Sequence, residues 1–156
     1  MKENIIGREQ EIGKLENYIS SRKSEFIAIY GRRRVGKTFL VKELFENRFT
    51  FRVTGKDNVS TKEQLTNFGF ALLEQMNVDT MPKDWEEAFR LLQKAIENMP
   101  EGAKVIFFDE LPWFDTYASH FISALEHFWN DWASYRSAII ERISFFMNLI
   151  LLIQVS

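Results

Sequence analysis

The run Gly31-Arg32-Arg33-Arg34-Val35-Gly36-Lys37-Thr38 carries two glycines, a lysine and a hydroxyl at the spacing G-x-x-x-x-G-K-[ST]. Residues of those types at that spacing can hold a polyphosphate. Glycine lets successive backbone N–H groups turn inward as an anion nest, and a helix starting just behind the nest adds the positive end of its dipole. Gly31 and Gly36 supply that freedom. Lys37 can reach the β- and γ-phosphates as a point charge, and the Thr38 hydroxyl suits an inner position on Mg²⁺. Arg32, Arg33, Arg34, Val35 and Phe39 complete the expected nucleotide-binding stretch. The chemistry this predicts is binding of a nucleoside triphosphate.

A phosphate loop needs an acid from elsewhere, and Lys104-Val105-Ile106-Phe107-Phe108-Asp109-Glu110 ends an apolar run in two carboxylates. The pair can divide the work. Asp109 would hold Mg²⁺ directly or through water, and Glu110 would orient and deprotonate an attacking water. Downstream of a phosphate loop, such a strand predicts hydrolysis as well as binding. Lys37 and Glu110 are then the catalytic candidates, and Thr38 and Asp109 the metal ligands.

Elements that could position these residues are legible from periodicity. The apolar run Phe26–Tyr30 reads as a buried strand in front of the loop, and Thr38 to Asn47 as the helix behind it, with Phe39, Leu40 and Leu44 apolar. A first helix is expected near Glu9 to Ser21 on Ile12, Leu15 and Ile19. Phe49, Phe51 and Val53 alternate with Thr50, Arg52 and Thr54 as a second strand. Ser60-Thr61-Lys62-Glu63 is a capping box opening a helix with Leu65, Phe68, Leu72 and Met76 inward. A further helix starts around Asp84 with Trp85, Phe89, Leu92 and Ile96 on one face. The last one runs from about Ser119 to Arg136 with a stripe of Phe121, Leu125, Phe128 and Trp132, flanked by Trp129 and Tyr135. That stripe reads as core, with a partner-facing aromatic surface as the alternative.

The chain has 156 residues, 46% of them hydrophobic and 15% aromatic, which allows one domain with a substantial core. It has no cysteine, so no disulfide can form, as suits a reducing, cytoplasmic setting. The start Met1-Lys2-Glu3-Asn4 lacks an apolar signal region. A net charge of −2 offers no basic footprint for nucleic acid.

On these motifs the chain resembles the AAA-type P-loop ATPases, specifically the archaeal-type ATPase family with its Gly-Arg-Arg-Arg-x-Gly-Lys-Thr loop. The resemblance covers about residues 4 to 136. Its marks are Ile6-Gly7-Arg8-Glu9-Gln10-Glu11, the loop, Phe51-Arg52-Val53-Thr54-Gly55, and the acidic strand continuing into Leu111-Pro112-Trp113. It implies an α/β fold, the P-loop NTPase three-layer αβα sandwich around a mainly parallel sheet, and ATP rather than GTP. It also implies a strand order 5-1-4-3-2, in which the strand after the acidic one inserts between that strand and the loop strand. Arg8 and Glu9 would lie near the adenine by resemblance. By residue type alone they are equally an ordinary helix start, Glu9 and Glu11 favouring the dipole.

Residues 1–136 are thus expected to form the ATPase core, and 137–156 an atypical apolar segment. After Arg136 the family pattern would continue into a strand ending in a small polar segment that senses the γ-phosphate, but Ser137 to Ser156 does not align with it. Leu149 to Val155 is the expected filling strand, with Gln154 or Ser156 at the sensor position; otherwise the sheet is incomplete at the C-terminus, as in a truncated or altered chain. A membrane anchor is not expected, because Ile143 to Ile153 is short and contains Asn148.

Arg32, Arg33 and Arg34 could contact phosphates or a neighbouring subunit's nucleotide, or form a solvated basic loop. His120 and His127 have no zinc-type companions. Without a recognisable arginine finger or lid, partners are expected as a homo-oligomer or as a C-terminal domain acting in trans. The expected function is Mg-dependent ATP binding and hydrolysis. The alternative is a non-catalytic nucleotide-binding or protein-interaction fragment with an incomplete sheet.

Overall fold

In the computed structural model, which describes residues 9–20, 24–30, 36–45, 47–133 and 142–149, helices alternate with parallel strands. The order is α1 (Glu9–Ser20), β1 (Glu25–Tyr30), α2 (Lys37–Phe45), β2 (Phe51–Thr54), α3 (Thr61–Met76), α4 (Trp85–Glu97), β3 (Ala103–Asp109), α5 (Phe121–Asp131) and β4 (Arg142–Leu149), with a 3₁₀ turn at Leu111–Trp113. Among the described residues the sheet has four strands in the order β1-β4-β3-β2, and every pairing between them is parallel.

β3 explains why the sheet is built this way. A strand covered on both faces reads as a continuous apolar run rather than an alternating one, and Lys104 through Asp109 is buried without a break. Its odd-numbered Val105 and Phe107 join Ile27 of β1, Ile12 and Leu15 of α1, and Leu40, Val41 and Leu44 of α2 in one core. Its even-numbered Ile106 and Phe108 join Phe51 and Val53 of β2 and the apolar faces of α3, α4 and α5 in another. The second core is largely aromatic. Phe68 meets Trp85 edge-on at 5.5 Å, Trp85 meets Phe121 at 4.8 Å, and Phe114 stacks on Phe121 at 5.2 Å.

Helix starts follow from side-chain chemistry. Ser60 Oγ accepts from the Glu63 N–H at 3.2 Å, and Asp84 Oδ1 accepts from the Glu87 N–H at 2.8 Å, each meeting a donor that the first helical turn leaves open. The aromatic stripe of α5 is core: Phe121, Leu125, Phe128 and Trp132 are all buried. Trp129 is half-buried and meets Phe26 of β1 edge-on at 5.2 Å. Tyr135 and Arg136 lie outside the described residues.

Two expectations are corrected. Phe49 does not share a face with Phe51 and Val53: its ring stacks on Phe107 at 5.5 Å, in the opposite core. The chain is diverted at Thr50, whose hydroxyl accepts from the Val105 N–H at 3.1 Å while its own N–H donates to the Val105 carbonyl at 2.8 Å. The strand between β1 and β3 is Arg142–Leu149, not Leu149 to Val155. Glu25 to Tyr30 pairs with Ser144 to Leu149, so the whole length of β1 is already matched within β4. The slot that would have left two rows of backbone groups unpaired is filled. Gln154 and Ser156 lie outside the described residues.

Among the described strands β2 is the outer one, and α3 lines its other edge with carboxamides. Gln75 accepts from the Arg52 N–H at 2.8 Å and donates to the Arg52 carbonyl at 2.7 Å. Asn67 donates to the Thr54 carbonyl at 2.8 Å. Just beyond the strand, Gln64 accepts from the Lys56 N–H at 3.1 Å and donates to the Lys56 carbonyl at 2.5 Å. The side chains stand where another strand would otherwise pair.

Candidate functional site

Because all four strands run the same way, Tyr30, Thr54, Asp109 and Leu149 end at one edge of the sheet. Open parallel sheets bind ligands beyond the carboxyl ends of their strands. Of the candidate site residues, Gly36, Asp109 and Glu110 lie at this edge among the described residues.

The loop strand and its helix are where the spacing predicts them. β1 ends at Tyr30 and α2 begins at Lys37, with Gly36 as the last residue before it. Gly36 has φ +77°, a left-handed conformation that side chains disfavour, and its carbonyl accepts from the Leu40 N–H at 2.9 Å as the first bond of the helix. A β-carbon on Gly36 would meet nothing within 4 Å, so conformation rather than space demands glycine there. Gly31, Arg32, Arg33, Arg34 and Val35 lie outside the described residues, as do the side chains of Lys37 and Thr38. Phe39 is half exposed on the first turn of α2.

Asp109 closes β3 and is only 4% exposed. Side chains alternate across a strand, so Asp109 continues the row of Val105 and Phe107, which packs on α2. The carboxylate and the helix behind Gly36 therefore share one face of the sheet. Its Oδ1 accepts from the Glu110 N–H at 3.0 Å, and its carbonyl accepts from the Gly55 N–H at 2.9 Å.

Glu110 is half-buried and takes φ 54°, ψ 44°, a left-handed conformation costly for a residue with a side chain. Its surroundings hold it there. The Glu110 carbonyl accepts from the Trp113 N–H at 3.1 Å at the start of the 3₁₀ turn, and Pro112 stiffens that turn. Gly55 presses on the same carbonyl from the β2 side: a β-carbon there would stand 2.6 Å from it. Glu9 and Glu11 sit in the first turn of α1, as helix-dipole stabilisation requires; Arg8 lies outside the described residues.

The structure adds a residue that motif reading passed over. Gln64 is fully buried, and besides its two bonds to Lys56 its Nε2 donates to the Trp113 carbonyl at 2.9 Å. It thereby links the segment after β2 to the turn that follows Glu110. The signal was present in α3, where Gln64 falls on the stripe of Leu65, Phe68 and Leu72. An amide on a buried stripe must find partners.

The donor types suit a hard cation. A buried carboxylate and a threonine hydroxyl are oxygen ligands, and Mg²⁺ bound with phosphates needs few protein ligands beyond these. Among the described residues no three or more His, Cys, Asp or Glu side chains cluster as a self-sufficient metal site. Among the same residues, no helix is long and apolar enough to cross a membrane.

An uncharacterized protein of Methanocaldococcus jannaschii is 33% identical over 111 residues, covering 69% of this chain, and the chain spans 22% of that relative's length. An uncharacterized ATP-binding protein of the same organism is 44% identical over 44 residues, 28% of this chain and 75% of the relative. Residues 5–140 match the model of an ATPase domain found predominantly in Archaea. With the loop strand and the acidic strand in one parallel sheet and the helix α2 packed on its face, the chain belongs to this archaeal ATPase domain family.

Proposed function

We propose that this chain binds Mg-ATP at the carboxyl edge of its sheet and hydrolyses it, as an AAA-type three-layer P-loop module. One observation carries the reading: α2, opened by Gly36, and the buried carboxylate of Asp109 lie on the same face at the same edge. Membership of the ATPase family and the ATP-binding relative support the choice of nucleotide.

In this reading residues 31–38 wrap the phosphates with backbone N–H groups, and Lys37 neutralises charge on the β- and γ-oxygens. Thr38 and Asp109 offer oxygen ligands to Mg²⁺. The ion, when bound, supplies charge neutralisation at the phosphates. Glu110 takes a proton from the attacking water, and its fixed backbone aims the carboxylate. In the observed register Asn148 stands opposite Ile29, one step before the end of β1, so the polar residue expected at the sensor position is Asn148. A homo-oligomeric neighbour or a further domain would supply an arginine finger, worth a factor of about 10³ to 10⁵ in rate.

Calorimetric titration of Mg-ATP into the chain, alongside Lys37→Ala, tests the binding site. Saturable binding that the substitution abolishes is the expected result. Phosphate release abolished by Glu110→Gln with binding retained assigns the base. A folded chain that binds no Mg-ATP overturns the reading.

A further inference from the structure

We infer that Gln64 is a positioning residue for Glu110, acting through the backbone on both sides of it; the inference rests on the hydrolytic reading above. The Gln64 amide makes three hydrogen bonds, accepting from the Lys56 N–H and donating to the Lys56 and Trp113 carbonyls. It is fully buried, so none of these bonds can be replaced by water without opening the packing.

The geometry makes a closed frame. From Glu110 the chain turns through Leu111–Trp113, and the Trp113 N–H returns to the Glu110 carbonyl at 3.1 Å. The carbonyl at the far end of that turn is held by Gln64. Lys56, also held by Gln64, directly follows Gly55, whose N–H donates to the Asp109 carbonyl at 2.9 Å and whose α-carbon packs on the Glu110 carbonyl. One side chain thus braces the two segments between which Glu110 keeps its left-handed conformation. Strained backbone persists only where its surroundings over-determine it. Remove the amide, and the turn and the Lys56 segment are free to part, so Glu110 relaxes and its carboxylate is misaimed. β1, the strand that precedes residues 31–38, lies across β4 from this frame, so nucleotide affinity should survive.

The test compares Gln64→Met, which keeps the volume and removes all three bonds, with Gln75→Met, which removes two bonds of the same type from the same helix at Arg52. A misaimed catalytic group costs about 10- to 100-fold in rate. Gln64→Met should lower kcat by that factor with the Kd for Mg-ATP within about twofold of the unsubstituted chain, and Gln75→Met should leave kcat within about twofold. Gln64→Glu keeps the acceptor for Lys56 and loses both donations. It should show the same loss and serves if the methionine variant does not fold. A crystal structure of either Gln64 variant should find Glu110 outside the left-handed region.

Turnover by Gln64→Met equal to that of the unsubstituted chain, or an equal loss in Gln75→Met, overturns the inference alone, provided Glu110→Gln abolishes phosphate release. If the unsubstituted chain releases no phosphate, or Glu110→Gln releases it unchanged, the hydrolytic reading has failed and takes this inference with it.

Discussion

Gly55 lies against Glu110 so closely that a β-carbon on it would come within 2.6 Å of the Glu110 carbonyl oxygen and 3.0 Å of the Trp113 β-carbon. The contact joins the end of β2 to the residue that follows β3, and backbone on one side leaves little room to yield. Gly55→Ala should therefore displace the Glu110 backbone, lowering stability by about 1–3 kcal/mol. Phosphate release should fall more than Mg-ATP affinity does. Urea unfolding and single-turnover kinetics on the same preparation check both parts.

A ligand that binds only the folded chain must raise its melting temperature. At free Mg-ATP near 100 times Kd the linkage is worth about 2.7 kcal/mol, a rise on the order of 5–10 °C for a chain of this size. Lys37→Ala should abolish the shift while leaving the melting temperature without nucleotide unchanged. Differential scanning fluorimetry with ATP, with and without magnesium, makes the comparison.

Gln75 closes the outer edge of β2 at Arg52 through bonds of 2.8 and 2.7 Å. Gln75→Met reopens that backbone N–H and C=O. A stability loss of about 1–2 kcal/mol is expected, together with concentration-dependent association through the exposed edge. Light scattering across a dilution series reads the association, and calorimetry should find Mg-ATP binding unaltered.

Phe68 is fully buried, with ring contacts to Phe51 at 5.1 Å, Trp85 at 5.5 Å, Phe89 at 5.9 Å and Phe108 at 6.3 Å. Those partners come from β2, α4 and β3, so the ring holds the aromatic core together. Phe68→Ala should cost about 3–5 kcal/mol. Chemical denaturation followed by far-UV circular dichroism measures it.

Much of the architecture was written locally. The apolar run of β1, the unbroken run of β3, the Ser60 and Asp84 caps and the helical stripes of α3 and α4 each follow from side chains within a few residues of one another. The spacing from Gly31 to Thr38 and the Asp109-Glu110 pair could likewise be read without any fold, because their chemistry depends on residue type and order. Which segment enters the gap between β1 and β3 could not. Residues 142–149 and 149–155 are both apolar enough to serve, and only pairing along the full length of β1 selects the first. The diversion of Phe49 to the opposite core from Phe51 depends on the Thr50 bonds to Val105, 55 residues away. The partners of Gln64 and the approach of Gly55 to Glu110 are also contacts between distant segments. Residue types alone thus determined which groups can do chemistry; the parallel pairing of β2, β3 and β4 decided which backbone holds them in place. Hydrogen bonds and close packing across a sheet are set by register, which no single stretch of chain contains.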